Sequence, residues 1–339
     1  MPRYTGGFIT LDEVIPTTSV ATGVWSTQEA LMYEKAGVYP FPPFGYLSGG
    51  VSDLGLFTSG YNVNILDFVT ISSTGNAADF GDATAVYYYT QGHGNATRGI
   101  TAYGGAGQVG VIDYVDFASK GDAADFGDVA TDTAGNQRGG GCGSNARGVF
   151  STMFASNSTI IEYVTMASLG NGADFGDLSQ GRSRGTATSS ATRGVFAGGE
   201  AGASIVNTID YITISSTGNA SDFGDLSVAR TFASACASAT RGVFLGGYDG
   251  SFSDVIDYIT IGSTGNASDF GDLTAARGST AGTSNATRGI VGGGDEGSGV
   301  NTIEYITIGS TGNSQDFGDL TAAKRWGDAV GSATAAGAA

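Results

Sequence analysis

The chain has little of what catalysis usually requires. In 339 residues there are one histidine, two cysteines and two tryptophans. A single histidine, His93, can neither assemble a metal cluster nor complete a triad without a nucleophile in place. No GxSxG, HExxH, P-loop or GxGxxG in a βαβ setting occurs. Cys142 and Cys236 form no CxxC spacing and no disulfide framework, and read as small core residues. Proline is scarce, with 5 residues against 58 glycines, and no period of three suggests collagen. Basic residues are also few. The 15 Lys and Arg against 32 Asp and Glu leave a net charge of −17, which repels phosphate backbones and anionic membrane surfaces. No apolar run approaches the roughly 18 residues a membrane-spanning helix needs. The opening Met1-Pro2-Arg3-Tyr4-Thr5-Gly6-Gly7 lacks a secretory h-region. The expectation is a non-enzymatic chain made in the cytoplasm, with no catalytic, metal or cofactor-binding residues and no nucleic-acid partner.

What the sequence does have is repetition. Asp-Phe-Gly-Asp begins at Asp79, Asp125, Asp174, Asp222, Asp269 and Asp316, at spacings of 46, 49, 48, 47 and 47 residues. Upstream of each copy lies an apolar-acid-aromatic triplet, such as Ile256-Asp257-Tyr258 and Ile303-Glu304-Tyr305. A Gly-Asn turn follows most of these, as at Gly265-Asn266, and an Arg-Gly-apolar step recurs at Arg98, Arg147, Arg193, Arg241 and Arg288. Each unit reads as four short strands, in the fifth unit over 227–239, 241–247, 254–261 and 267–273. The third of these is apolar on both faces, so both faces must be covered. The first is rich in Ala, Ser and Thr, which suits strands converging on a narrow axis. The predicted fold is therefore all-β, a six-bladed propeller of four-stranded blades.

The register predicts how the ring closes. The repeat opens near Phe44 with a second strand over 45–50 and no first strand before it, whereas the chain ends with an unpaired first strand over 325–334. That C-terminal strand should complete the N-terminal blade at its inner edge. The domains are then an arm, 1–43, and a propeller, 44–339. Within the arm, Ser26-Thr27-Gln28-Glu29 has capping-box spacing, Ala30 to Ala36 continues as helix, and Gly37 with Pro40, Pro42 and Pro43 stops it.

For the recurrent Asp-Phe-Gly-Asp, the two carboxylates of a strand would sit roughly 10 Å apart, too far for one calcium ion. The Phe is expected in the core between blades, and the Asp residues capping turns or pairing with the recurrent Arg. Tyr87-Tyr88-Tyr89 breaks the small-residue pattern of its equivalents, as a sugar-stacking platform or as filler for a wider space. The loops near 200–207, 248–254 and 295–301 differ most between units and are the candidate contact surface.

Two resemblances add to this. The unit running from Ile256-Asp257-Tyr258 through Asp269-Phe270-Gly271-Asp272 to Arg277 and Gly292-Gly293-Gly294 resembles a kelch repeat, with Phe270 where that family has Trp. In the third unit Ser151-Thr152-Met153 replaces the Gly pair. The arm, through Gly6-Gly7-Phe8-Ile9, Gly23-Val24-Trp25-Ser26 and Gly37-Val38-Tyr39-Pro40, resembles the opening of many tailed-bacteriophage virion proteins. That likeness implies a virion appendage or decoration module, made in the host cytoplasm. It implies contacts to other virion proteins through the arm and to a host-surface glycan or protein beyond it, with a homo-oligomer open. The alternative is a non-viral carbohydrate- or protein-binding surface propeller.

Overall fold

The computed structural model describes residues 53–58, 60, 63–104, 110–130, 139–151 and 158–332. The predicted arm with its helix, and the strand expected over 45–50, lie outside these. Among the described residues, twenty-four strands, β1–β24 in chain order, form six antiparallel four-stranded sheets. Blade 5 shows the plan. β16 (Ser234–Ala237), β17 (Arg241–Tyr248), β18 (Phe252–Thr260) and β19 (Ser268–Asp272) pair in sequence order. The first strand is far shorter than the 13-residue stretch 227–239 predicted for it. Its N-terminal part is instead a linker that carries the contacts between blades.

Blade 1 is assembled from both ends of the described chain. β24 (Ala329–Gly331) pairs with β1 (Leu54–Phe57), which pairs with β2 (Ile65–Thr70), and that with β3 (Ala78–Asp82). Closure by a C-terminal inner strand is as predicted. The second strand of this blade, however, is Leu54–Phe57 and not 45–50. Gly55 faces Val69 as Gly242 faces Ile259 in blade 5. The signal was therefore the Gly-apolar-apolar step Gly55-Leu56-Phe57, hidden because Leu54 stands where the other units carry Arg.

The outer seams explain the Asp-Phe-Gly-Asp motif. Phe270 is 2% exposed and clusters with Ile256 of its own blade and Val291 and Ile306 of the next. Its ring meets Tyr258 edge-on at 6.0 Å. Gly271 has φ +147°, and a Cβ there would lie 2.6 Å from the carbonyl of Gly312, in the Gly-Asn turn of blade 6. Glycine is thus required twice over, by conformation and by approach. Across the same seam Gly312 N donates to Phe270 O at 2.7 Å, and Asp272 N to Asn313 Oδ1 at 3.1 Å. The last seam, blade 6 to blade 1, repeats both bonds with Gly75 N to Phe317 O and Asp319 N to Asn76 Oδ1.

One expected pairing is overturned. Among the described residues, none of the motif's Asp residues forms an ion pair with the recurrent Arg. Arg241 instead lies over Tyr258, 4.4 Å from the ring centroid, and donates to Ile308 O of the next blade at 2.8 Å. A guanidinium can satisfy a π face and a carbonyl together without needing a carboxylate.

The ion pairs use other partners. In blade 5 the buried Asp257 accepts from Ser227 Oγ at 2.6 Å and pairs with Arg230 Nη2 at 3.0 Å, both from the linker entering that blade. Arg182–Asp210, Arg277–Glu304 and, at the closing seam, Lys324–Asp67 repeat this latch at 2.8, 2.9 and 3.0 Å. Blade 2 differs. Asp113 accepts from Thr84 Oγ1 at 2.6 Å, but the position of the cation is held by Tyr87. Burial pushes the Asp113 carboxyl above its usual range, against the pull of Thr84 and Tyr103, and the Asp125 charge adds to the rise.

Candidate functional site

The innermost strands are β4 (Tyr88–Gly94), β8 (Gly141–Gly143), β12 (Thr186–Ser189), β16, β20 (Ala281–Ser284) and β24. They surround an axial channel of about 90 Å³. Their small side chains let neighbouring strands touch, as where Ser284 Oγ donates to Ala237 O at 2.7 Å. Pockets that enclose organic ligands run to about 300–1,000 Å³, so the channel has room for water and not for a sugar. His93 lies on β4 beside the channel, with its Nε2–H donating to Ser144 O at 3.0 Å. Desolvation pulls its imidazole down to about 4, against the Ser144 carbonyl. Among the described residues no group of three His, Cys, Asp or Glu side chains could hold a metal ion. Cys142 and Cys236 are buried and free, and desolvation pushes the Cys236 thiol up to about 12.

The linkers entering the inner strands form a rim at one end of the channel. Two residues beyond each latch position the backbone turns left-handed, at Tyr89, Arg184, Phe232, Ser279 and Trp326, with φ between 56° and 63°. These are five of the six non-glycine residues with positive φ among those described. They are bonded to one another around the axis. Phe232 N donates to Arg184 O at 2.9 Å, Ser279 N to Phe232 O at 2.8 Å, Trp326 N to Ser279 O at 3.2 Å and Tyr89 N to Trp326 O at 2.9 Å. Such a conformation costs on the order of 1 kcal/mol for a bulky residue. Ser279 is buried, whereas the side chains of Tyr89, Arg184, Phe232 and Trp326 are half-buried and so contribute only part of their area to the core. Tyr89 stacks on Trp326 with centroids 5.3 Å apart, and Arg184 lies 5.3 Å from the Phe232 centroid.

The hairpins joining second to third strands rise beside this rim. Bridges connect Ser183 to Glu200, Thr231 to Tyr248 and Gly278 to Asp295. They bring two surface ion pairs to the same end, Arg184 with Glu200 and Arg325 with Asp295, the latter at 2.8 Å. Tyr248 and Phe252 add an edge-on aromatic pair at the tip of blade 5. The variable loops 200–207, 248–254 and 295–301 thus share one end with part of the tyrosine run. That run is split by the structure. Tyr87 is 2% exposed, stacks on Tyr103 with centroids 3.7 Å apart and fills the missing latch. Tyr89 is at the rim. The side chain of Tyr88 is outside the described set.

No protein-family model matches the sequence, and no curated protein does. Phe232, Trp326, Arg184 and Arg325 were not singled out in the sequence. The signal was available, since each lies one or two residues after a latch cation. It could be read only once the latch itself was known.

A shallow groove of about 300 Å³ lies between blades 4 and 5, lined by Ser190, Thr192, Arg193, Thr240 and Ile261. Its charge is committed, because Arg193 donates to Ile261 O at 2.8 Å and lies over Tyr211.

Proposed function

We propose that the chain is a non-enzymatic structural component of a tailed-bacteriophage virion, an appendage or decoration module whose propeller contacts the host surface. The observation that carries this is a division of labour. Every one of the six sheets has its four strands supplied by residues 54–331. Residues 1–43 are therefore not needed to build a blade, and their likeness to the opening of phage virion proteins gives them an attachment role. A rigid ring with variable hairpins at one end suits display, since recognition commonly resides in loops fixed on such a scaffold. The net charge of −17 suits a protein that must avoid packaged nucleic acid.

The test is mass spectrometry and immunogold labelling of purified particles from the source lysate. A stoichiometric protein at a fixed place on the particle supports the reading, and absence from particles overturns it. A second reading, a non-viral carbohydrate- or protein-binding propeller, is favoured by the aromatic rim, which could serve a ligand without the arm. The two diverge in a truncation. An appendage lacking residues 1–43 no longer associates with particles, whereas a free-standing binding module keeps its ligand affinity.

A further inference from the structure

We infer that the channel mouth is a carbohydrate-binding site for neutral glycans, seated across the rim formed by Tyr89, Phe232 and Trp326. This rests on the surface-contact reading above and supplies the ligand class that reading leaves open.

Three observations converge on it. The first is the choice of residue at a repeated strained position. Glycine or asparagine would occupy the left-handed region at least cost, yet the chain places Tyr89, Arg184, Phe232 and Trp326 there. All four stay half-buried, so the strain is not offset by complete burial. Strain of this kind concentrates at ligand clamps. The second is chemistry. Sugars present apolar C–H faces bordered by hydroxyls, and aromatic rings beside fixed donors and acceptors match both parts. Arg325 and Asp295, paired at 2.8 Å, and the Arg184–Glu200 pair supply those donors and acceptors next to the rings. The third is size and charge. A channel of about 90 Å³ cannot admit a sugar ring, so a ligand lies across the mouth. A chain of net charge −17 selects against sulfated or sialylated glycans.

The test uses the full chain on an array of neutral and acidic oligosaccharides, with Tyr89→Asn and Phe232→Asn beside the unaltered protein. Asparagine tolerates the left-handed backbone, so these variants remove the rings while relieving the strain. The expected result is binding to neutral oligosaccharides that weakens at least tenfold in both variants, with melting temperatures equal to or above the parent. Unchanged binding in the variants overturns the assignment. So does loss of binding together with a lowered melting temperature, because that is the signature of a packing role. Failure to bind any neutral oligosaccharide also overturns it, yet leaves the virion reading intact, since that reading stands or falls on particle composition.

Discussion

In blade 5, Asp257 receives Ser227 and the guanidinium of Arg230; in blade 2, the equivalent Asp113 receives Thr84 and faces tyrosine in place of the cation. The replacement is concerted. Thr101 lies opposite Asp113 where Phe244 lies opposite Asp257, and Tyr103 stacks on Tyr87 in the space the arginine would cross. Both carboxylates are at most 1% exposed. The difference teaches that a buried acid can receive the incoming linker with or without a neutralising partner, and that burying it alone has a cost; in blade 3 Glu162 receives the backbone N–H of Ala130, at 3.0 Å. An acid buried beside a cation keeps its charge; one buried without it is favoured in the neutral form.

The largest effect should come from opening the ring where β24 closes blade 1. Deleting residues 325–339 leaves β1 an open edge and blade 1 incomplete, and is expected to lower the melting temperature by on the order of 10 °C or abolish cooperative unfolding. A change of only a degree or two, by calorimetry, would show that ring closure contributes little. Next in size is a pair of matched substitutions with opposite expected signs. Asp257→Asn strips Arg230 of its counter-charge in a dry site and should destabilise by about 3–5 kcal/mol. Asp113→Asn removes a charge that has no ion-pair partner, and should be neutral or stabilising by about 1 kcal/mol at neutral pH. Urea unfolding of the two variants measures this directly, and equal losses would erase the distinction between the blades.

Smaller still is the pH dependence. Because the folded pKa of Asp113 is raised, the native state holds its proton more tightly than the unfolded chain. Its contribution is full below the unfolded value of about 3.9 and is lost as pH rises through the folded value. His93 acts in the opposite sense. With a folded pKa of about 4, its contribution is present above the unfolded value of about 6.5 and is lost as pH falls towards 4. Asp113→Asn and His93→Gln should each remove one arm of the stability profile between these limits. The smallest effect is chemical. Cys142 and Cys236, buried at 2% and 3% exposure with their thiol pKa values pushed up by desolvation, should resist alkylation in the native state and react on unfolding.

The repeat made the architecture legible because Asp-Phe-Gly-Asp is a contact between blades and not a feature of one. Its Phe, its Gly and the backbone of its second Asp each meet the neighbouring blade, so the motif cannot drift without opening a seam. Legibility failed where a position is defined by a partner far away in sequence. Lys324 and Asp67 are 257 residues apart and close the last seam; the shared Asp-Phe-Gly-Asp-Leu-Thr-Ala-Ala stretch marks Lys324 as equivalent to Arg277, but nothing local shows that either reaches a carboxylate on the third strand of the next blade. The recurrent Arg looked like a carboxylate partner because charge suggests charge; its proximity to Tyr258 and the Ile308 carbonyl is a fact of packing. The rim was invisible for a related reason. Tyr89, Phe232 and Trp326 lie in three different units at the same step after Asp-Phe-Gly-Asp, but the left-handed backbone that makes the position distinctive leaves no mark in composition. The variable hairpins were readable as variable, but their convergence with the rim on one end required the ring.

The pairing of β24 with β1 has a consequence for biosynthesis. A ribosome makes β1 first and β24 last, so blade 1 has to wait as three strands through the translation of the other five blades. The latch between Lys324 and Asp67 can form only after β23, the last strand of blade 6, has emerged. Prematurely terminated chains therefore cannot finish the ring, and they present an unpaired strand that chaperones or proteases can recognise. Completion of the propeller is thereby checked by the fold itself.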